Sequence, residues 1–173
     1  MKDNTVLTPH FALREFTESA TAMKHGIDNR PTPEVVENLR RLCTHTLEPL
    51  REKLGLPIVI TSGFRTKELN DIIVHASRKS QHMAGQAADF HVSGHTDSTD
   101  NTDISGLSAR ELLIKAFRLI ITDESIDFDQ LILYPNFIHV SYVSQKRNRH
   151  QITKANGQGT YCALSRTAAL ALD

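Results

Sequence analysis

Apolar residues recur at three- and four-residue steps from Val36 through Leu39, Cys43, Leu47 and Leu50 to Leu54, the stripe of a helix that buries one side. Thr32-Pro33 offers a start and Gly55 a stop, while Pro49 predicts a kink or break inside the run. A second stripe, Leu112, Leu113, Ala116, Phe117, Ile120 and Ile121, follows a capping box made by Ser108 and Glu111. A short helical stretch is predicted from Thr8-Pro9-His10 through Phe11, Leu13 and Phe16, with Thr8 as its cap, and another over residues 67 to 74. The β-branched run Pro57-Ile58-Val59-Ile60-Thr61 reads as a buried strand, and residues 87 to 92 as a second. Residues 128 to 134 and 137 to 143 read as two further strands joined by a two-residue turn at Pro135-Asn136.

Between these elements, residues 95 to 106 are rich in Asp, Ser, Thr and Asn and predict a surface loop. Residues 144 to 160 are basic and contain Gly, and Lys146-Arg147-Asn148-Arg149 reads as a solvated turn rather than a nucleic-acid patch. Helices segregated from a small group of strands predict an α+β fold, a small antiparallel sheet with helices packed on it. One domain over residues 1–173 is the economical division, with 144–173 as a C-terminal extension.

Composition narrows the function classes. Apolar residues make up 39% of the 173 and charged residues 23%, and 20 basic side chains balance 20 acidic ones, so net charge points to neither nucleic acid nor membrane. There is no apolar run of membrane-spanning length and no apolar secretion core near Met1, so a cytoplasmic site of synthesis and a monomer are the expectations. Cys43 and Cys162 lack the paired spacing of a thiolate metal site and are expected to be inert packing thiols.

The chemistry concentrates in Ser80-Gln81-His82-Met83-Ala84-Gly85-Gln86-Ala87-Ala88-Asp89. His82 and Asp89 stand seven apart, and Gly85 together with small Ala residues lets the chain fold back to aim both at one point. Among nine histidines such a pair is weak alone, since a surface His near an unrelated Asp is commonplace. Alternation along residues 137 to 142 sends Ile138, Val140 and Tyr142 to the core and leaves His139 facing the other way, into a cleft. A histidine in an apolar strand is ordinarily a hydrogen-bonded core residue, and His139 gains a second reading only beside the upstream motif.

The joint pattern Ser-x-His-x-x-Gly-x-Ala-x-Asp resembles the zinc motif of the D-alanyl-D-alanine carboxypeptidase and L-alanyl-D-glutamate endopeptidase family, the hedgehog-like metallopeptidases. Ser62-Gly63-Phe64-Arg65 is similar to that family's Ser-Gly-aromatic-Arg segment, and Phe137-Ile138-His139-Val140-Ser141-Tyr142 to its last metal-binding strand. The resemblance spans most of residues 8 to 143. It implies a hedgehog-like or D-Ala-D-Ala peptidase-like fold, one zinc ion per chain on His82, Asp89 and His139, and a substrate among the stem peptides of peptidoglycan. It also implies substrate contacts from Arg65, Ser80 and Gln81.

Two imidazoles and a carboxylate suit zinc, and three protein ligands leave a fourth position for a water, the proposed nucleophile. Arg65 can stabilise an oxyanion or hold a carboxylate, or simply form a surface salt bridge. The family's general base, an acidic residue shortly before the last histidine, falls here at Asn136 or Tyr134. Asn cannot titrate and tyrosine is normally protonated at neutral pH, so Tyr134 is read instead as an oxyanion donor. His91, two residues beyond Asp89 on the same strand face, is the remaining catalytic candidate, as a base or as a partner to a ligand. Three functions stay open: a zinc peptidase, a catalytically lapsed zinc module that binds wall peptide, and a zinc-stabilised structural protein. Reaching the wall would require release from the cell, as in an endolysin of phage origin; recycling of wall fragments would not.

Overall fold

Arg40 donates from its guanidinium to the carbonyls of Val6 and Leu7 at 3.3 and 2.8 Å, and this holds the N-terminal residues extended. In the computed structural model, which describes residues 5–94, 106–156 and 159–172, Val6–Thr8 (β1) and Phe11–Ala12 (β2) pair as a small antiparallel ribbon. The helix expected from Thr8 therefore starts later, at Leu13–Thr17 (α1), where Glu15 accepts the Ala12 N–H at 2.7 Å. Thr8 ends a strand instead of capping a helix. Ala20–His25 (α2), capped by Ser19, follows and was not legible in the apolar pattern.

The long stripe folds as Pro33–Leu42 (α3), a π-helical turn over Cys43–Leu47, and Glu48–Leu54 (α4), with Gly55 left-handed at φ 65° as the stop. The break expected at Pro49 is the π turn. It places the proline in the first turn of α4, where its missing N–H costs no hydrogen bond. The expected strand at residues 57–61 lies at Ile58–Ser62 (β3), with its side chains alternating between buried and exposed rather than buried throughout. Lys67–Ile72 (α5), Ala87–Val92 (β4) and Ala109–Thr122 (α6) follow the pattern, and the Ser108/Glu111 box closes in both directions. The predicted loop at 95–106 lies, but for Gly106, outside the described residues.

Gln130–Leu133 (β5) and Ile138–Ser141 (β6) form the expected hairpin, closed by Tyr134 N–H donating to the Phe137 carbonyl at 3.0 Å. The segment read as a solvated turn is more than that. Gln151–Ala155 (β7) and Tyr161–Ala163 (β8) extend the sheet to six strands in the order β3-β4-β6-β5-β7-β8, and Arg166–Leu170 (α7) follows. β7 runs parallel to β5, so the sheet of this α+β fold is mixed and not purely antiparallel. α3, α4 and α6 supply the helical side of the core, in which Leu39, Leu42, Leu47, Phe90, Phe117, Leu131, Ile138 and Val140 are fully buried. Cys43 is a packing thiol as expected, but Cys162 is exposed on β8. No helix of the described residues is long and apolar enough to cross a membrane.

Asp129 explains why the last strands dock. Its carboxylate is almost fully buried, which is tolerable only with donors around it. Arg149 supplies its backbone N–H and Nε, each at 2.9 Å, as well as Nη2, and Gln81 adds its amide at 2.9 Å. Arg149 is thus a structural ion-pair partner and not part of a free solvated turn. Burial by itself would raise the Asp129 pKa, but the bonds from Arg149 and Gln81 outweigh it and hold the group at about 2. A depressed carboxylate stabilises the fold above its unfolded pKa of about 4 and loses that contribution as pH falls through its folded value. Asp129→Asn is expected to lower stability most at pH 5 and above, and the gap to wild type in urea unfolding should close between about pH 4 and pH 2.

Gly63 ends β3 against Phe16, and a Cβ there would lie 2.5 Å from the Phe16 Cα and carbonyl oxygen. Gly63→Ala must therefore push α1 away from the sheet. A loss of about 2 kcal/mol is expected, read as a fall of roughly 4–8 °C in the melting temperature.

Candidate metal centre

One rung of the β4–β6 ladder sets Asp89 directly opposite His139, so two side chains distant in sequence stand on the same sheet face. In the structure His139 Nδ1 lies 2.8 Å from Asp89 Oδ1. His82 arrives from outside the sheet, on a tight 3₁₀ turn over Gln81–Ala84 between Ser80 and Gly85. Gly85 has φ 67°, and a Cβ on it would come within 2.7 Å of the Val35 carbonyl, so the turn both needs a left-handed residue and presses on α3. His82 Nδ1 hydrogen-bonds the Gly63 carbonyl at 2.7 Å, and since a carbonyl can only accept, the proton sits on Nδ1 and the Nε2 lone pair faces Asp89 and His139.

His82 Nε2 is 3.2 Å from His139 Nδ1 and 3.3 Å from Asp89 Oδ1. Tetrahedral zinc with bonds near 2.0–2.1 Å requires ligand atoms about 3.3 Å apart, so the three donors form a triangle of the size that one zinc ion fits. Among the described residues, these three are the group able to hold a metal. Burial pushes the His82 imidazole down and so keeps it neutral. For Asp89 burial would act upward, but the His82 side chain beside it and the hydrogen bond from His139 prevail and keep it well below the usual carboxylate range. A neutral imidazole and an ionised carboxylate are the forms that bind a metal.

Arg65 approaches from the end of β3. Its Nη2 donates to Asp89 Oδ2 at 3.1 Å, and Nε and Nη2 donate to Ser62 Oγ at 3.1 and 2.9 Å. The guanidinium therefore compensates the buried Asp89 charge from the side opposite the imidazoles. Only its Nη1 group has no partner among these bonds. Ser80 precedes the His82 turn without capping it. Gln81 is turned away from the three donors, its amide nitrogen on Asp129 and its carbonyl oxygen 3.4 Å from Arg149 Nη2.

Tyr134 stacks on Phe137 with ring centroids 4.2 Å apart, and its hydroxyl lies 3.1 Å from that of Tyr161. Burial, the Tyr161 contact and the Asp89 charge push its pKa up, so it keeps its proton and is a donor, not a base. Asn136 sits exposed at the hairpin tip. His91 lies opposite Val59 in the β3–β4 ladder, outside the group of three donors.

Sequence reasoning missed Gly63 as the acceptor that orients His82, as well as Tyr161, while Asp129, read with Asp127 as a residue that caps or braces the hairpin, braces it through Arg149, Gln81 and Ser141. A carbonyl leaves no trace in side-chain identity. Asp129 did leave one, since an acidic residue at the head of an apolar strand requires a buried partner. Tyr161 had none, because the strand that carries it alternates too briefly to be seen.

Residues 9–115 match the family model described as Peptidase M15, and no curated protein matches the chain. The matched residues include Arg65, Ser80, His82 and Asp89, while His139 lies beyond them and is brought to the site by the β4–β6 pairing. With this match over more than half its length and a donor triangle suited to one zinc ion, the chain belongs to the peptidase M15 family, the family of the zinc D-alanyl-D-alanine carboxypeptidases.

Proposed function

We propose that this protein hydrolyses a peptide bond in the stem peptides of peptidoglycan, of the D-Ala-D-Ala or L-Ala-D-Glu type. The observation that carries the reading is the convergence of His82 Nε2, Asp89 Oδ1 and His139 Nδ1 in a chain of the M15 family. These three residues would hold zinc, which when bound supplies a Lewis acid able to acidify water and polarise a carbonyl.

The chain's own residues do the rest. The Gly63 carbonyl and the β4–β6 rung fix the ligands, so little reorganisation is needed when the ion enters. Asp89 stays anionic between Arg65 and the imidazoles. Arg65 brings a permanent positive charge beside the site and would meet a substrate carboxylate or the oxygen on which charge develops. Tyr134 would donate its proton in a hydrogen bond to an acceptor oxygen.

A second reading is favoured by one specific feature. The position expected to hold the acidic base is Asn136, which cannot take a proton, and Tyr134 holds its own. On that reading the protein binds zinc and wall peptide without cleaving it. In either case we place its action on wall peptide outside the cell after release, or on recovered fragments inside it.

Zinc titration by competition with a chromophoric chelator is expected to give one ion per chain, with binding abolished in His82→Ala. A thousandfold excess over the dissociation constant adds about 4 kcal/mol to stability, so the melting point should rise clearly in wild type alone.

Incubation of the zinc-loaded protein with purified muropeptides, with products identified by mass, tests the chemistry. Cleavage by wild type that disappears in His82→Ala is the expected result. Turnover seen only in Asn136→Asp would establish the non-cleaving reading, and inertness of both variants and wild type would sink the hydrolase.

A further inference from the structure

The C-terminal strands lie outside the residues that match the family model, yet they bring one side chain to the metal face of the sheet. His139 is opposite Ile132, Ile132 is beside Thr153, and two residues further on Ala155 is opposite Tyr161. Paired residues and their second neighbours share a face, so Tyr161 stands on the same side of the sheet as His139 and Tyr134. Its ring meets that of Tyr134 edge-on, with centroids 6.2 Å apart and planes at 90°, and the two hydroxyls are 3.1 Å apart.

Two phenols in contact have two protons and share one of them. If Tyr161 donates to Tyr134, the Tyr134 proton is left to point elsewhere, and its donor strength rises because its oxygen is already accepting a bond. Tyr134 has its other freedom removed by the stacked Phe137 ring. It is also close enough to Asp89 and Arg65 for their charges to act on it. Tyr161, half exposed at 53%, has no core-packing reason to be a large aromatic.

We propose that Tyr161 is a positioning residue of the site: its hydroxyl bond to Tyr134 aims the Tyr134 O–H at a carbonyl or carboxylate oxygen of the bound peptide. The occupant must present an acceptor there, because a hydroxyl hydrogen is met only by a lone pair. The inference rests on the reading of the protein as one that binds wall peptide, and it adds a residue from strand β8 to that site.

The test compares zinc-loaded wild type, Tyr134→Phe, Tyr161→Phe and the double variant, with calorimetric binding of a purified stem pentapeptide and cleavage followed by mass in parallel. Each single variant is expected to bind about fivefold more weakly, the worth of one hydrogen bond between neutral groups, with an unchanged melting temperature. The double variant should be no weaker than Tyr134→Phe, because Tyr161 acts through Tyr134. Wild-type affinity in Tyr161→Phe, or losses that add in the double variant, would overturn the assignment while leaving the peptidase reading intact. Binding without cleavage, still weakened in Tyr161→Phe, would support the assignment and end the hydrolase. A wild type that neither binds nor cleaves the peptide overturns both.

Discussion

Asp89 is the group around which the site is built. An ionised carboxylate taken out of water costs several kcal/mol unless its surroundings return that energy, and here they do so on every side. His139 and His82 face one oxygen and Arg65 the other, with His139 held by the β4–β6 ladder, His82 by the Gly63 carbonyl and Arg65 by Ser62. The charges also explain why the arrangement is receptive to a cation. Two imidazoles and one carboxylate converge on one point, and a divalent ion there would satisfy all three at once.

A second buried carboxylate, Asp129, does for the frame what Asp89 does for the centre. By gathering Arg149, Gln81 and Ser141 it links the turn before β7, the loop that presents His82 and the strand that presents His139. Gln81 and His82 are neighbours in the chain but face opposite duties, one held by the frame and the other free to bind.

The function hinges on proton transfer more than on metal binding. Donor geometry, tautomer and charge all suit zinc, whereas the hairpin tip offers an amide at Asn136 and a protonated phenol at Tyr134. A site of this kind binds and orients readily. What it lacks in an acidic base must come from the peptide, from solvent or from another side chain for turnover to occur, and that requirement separates the two readings of the protein.

Much of the helical framework was legible because it follows local rules. The stripe from Val36 to Leu54, the Ser108/Glu111 box and the Pro135-Asn136 turn are decided by neighbours within a few residues, as is the alternation that puts Ile138 and Val140 inward and His139 outward. The motif from Ser80 to Asp89 likewise announced which residue types gather, since a left-handed Gly and small Ala leave few paths for the chain. Tertiary structure decided the rest, because it depends on register and on partners far away in sequence. Thr8 became strand through Arg40, β7 joined β5 in parallel through Arg149 and Asp129, and Tyr161 reached Tyr134 only after those strands had docked. Residue types determined on their own which donors were available; the pairing of β4 with β6 determined that they meet at one point, since a slip of one residue would turn Asp89 and His139 to opposite faces.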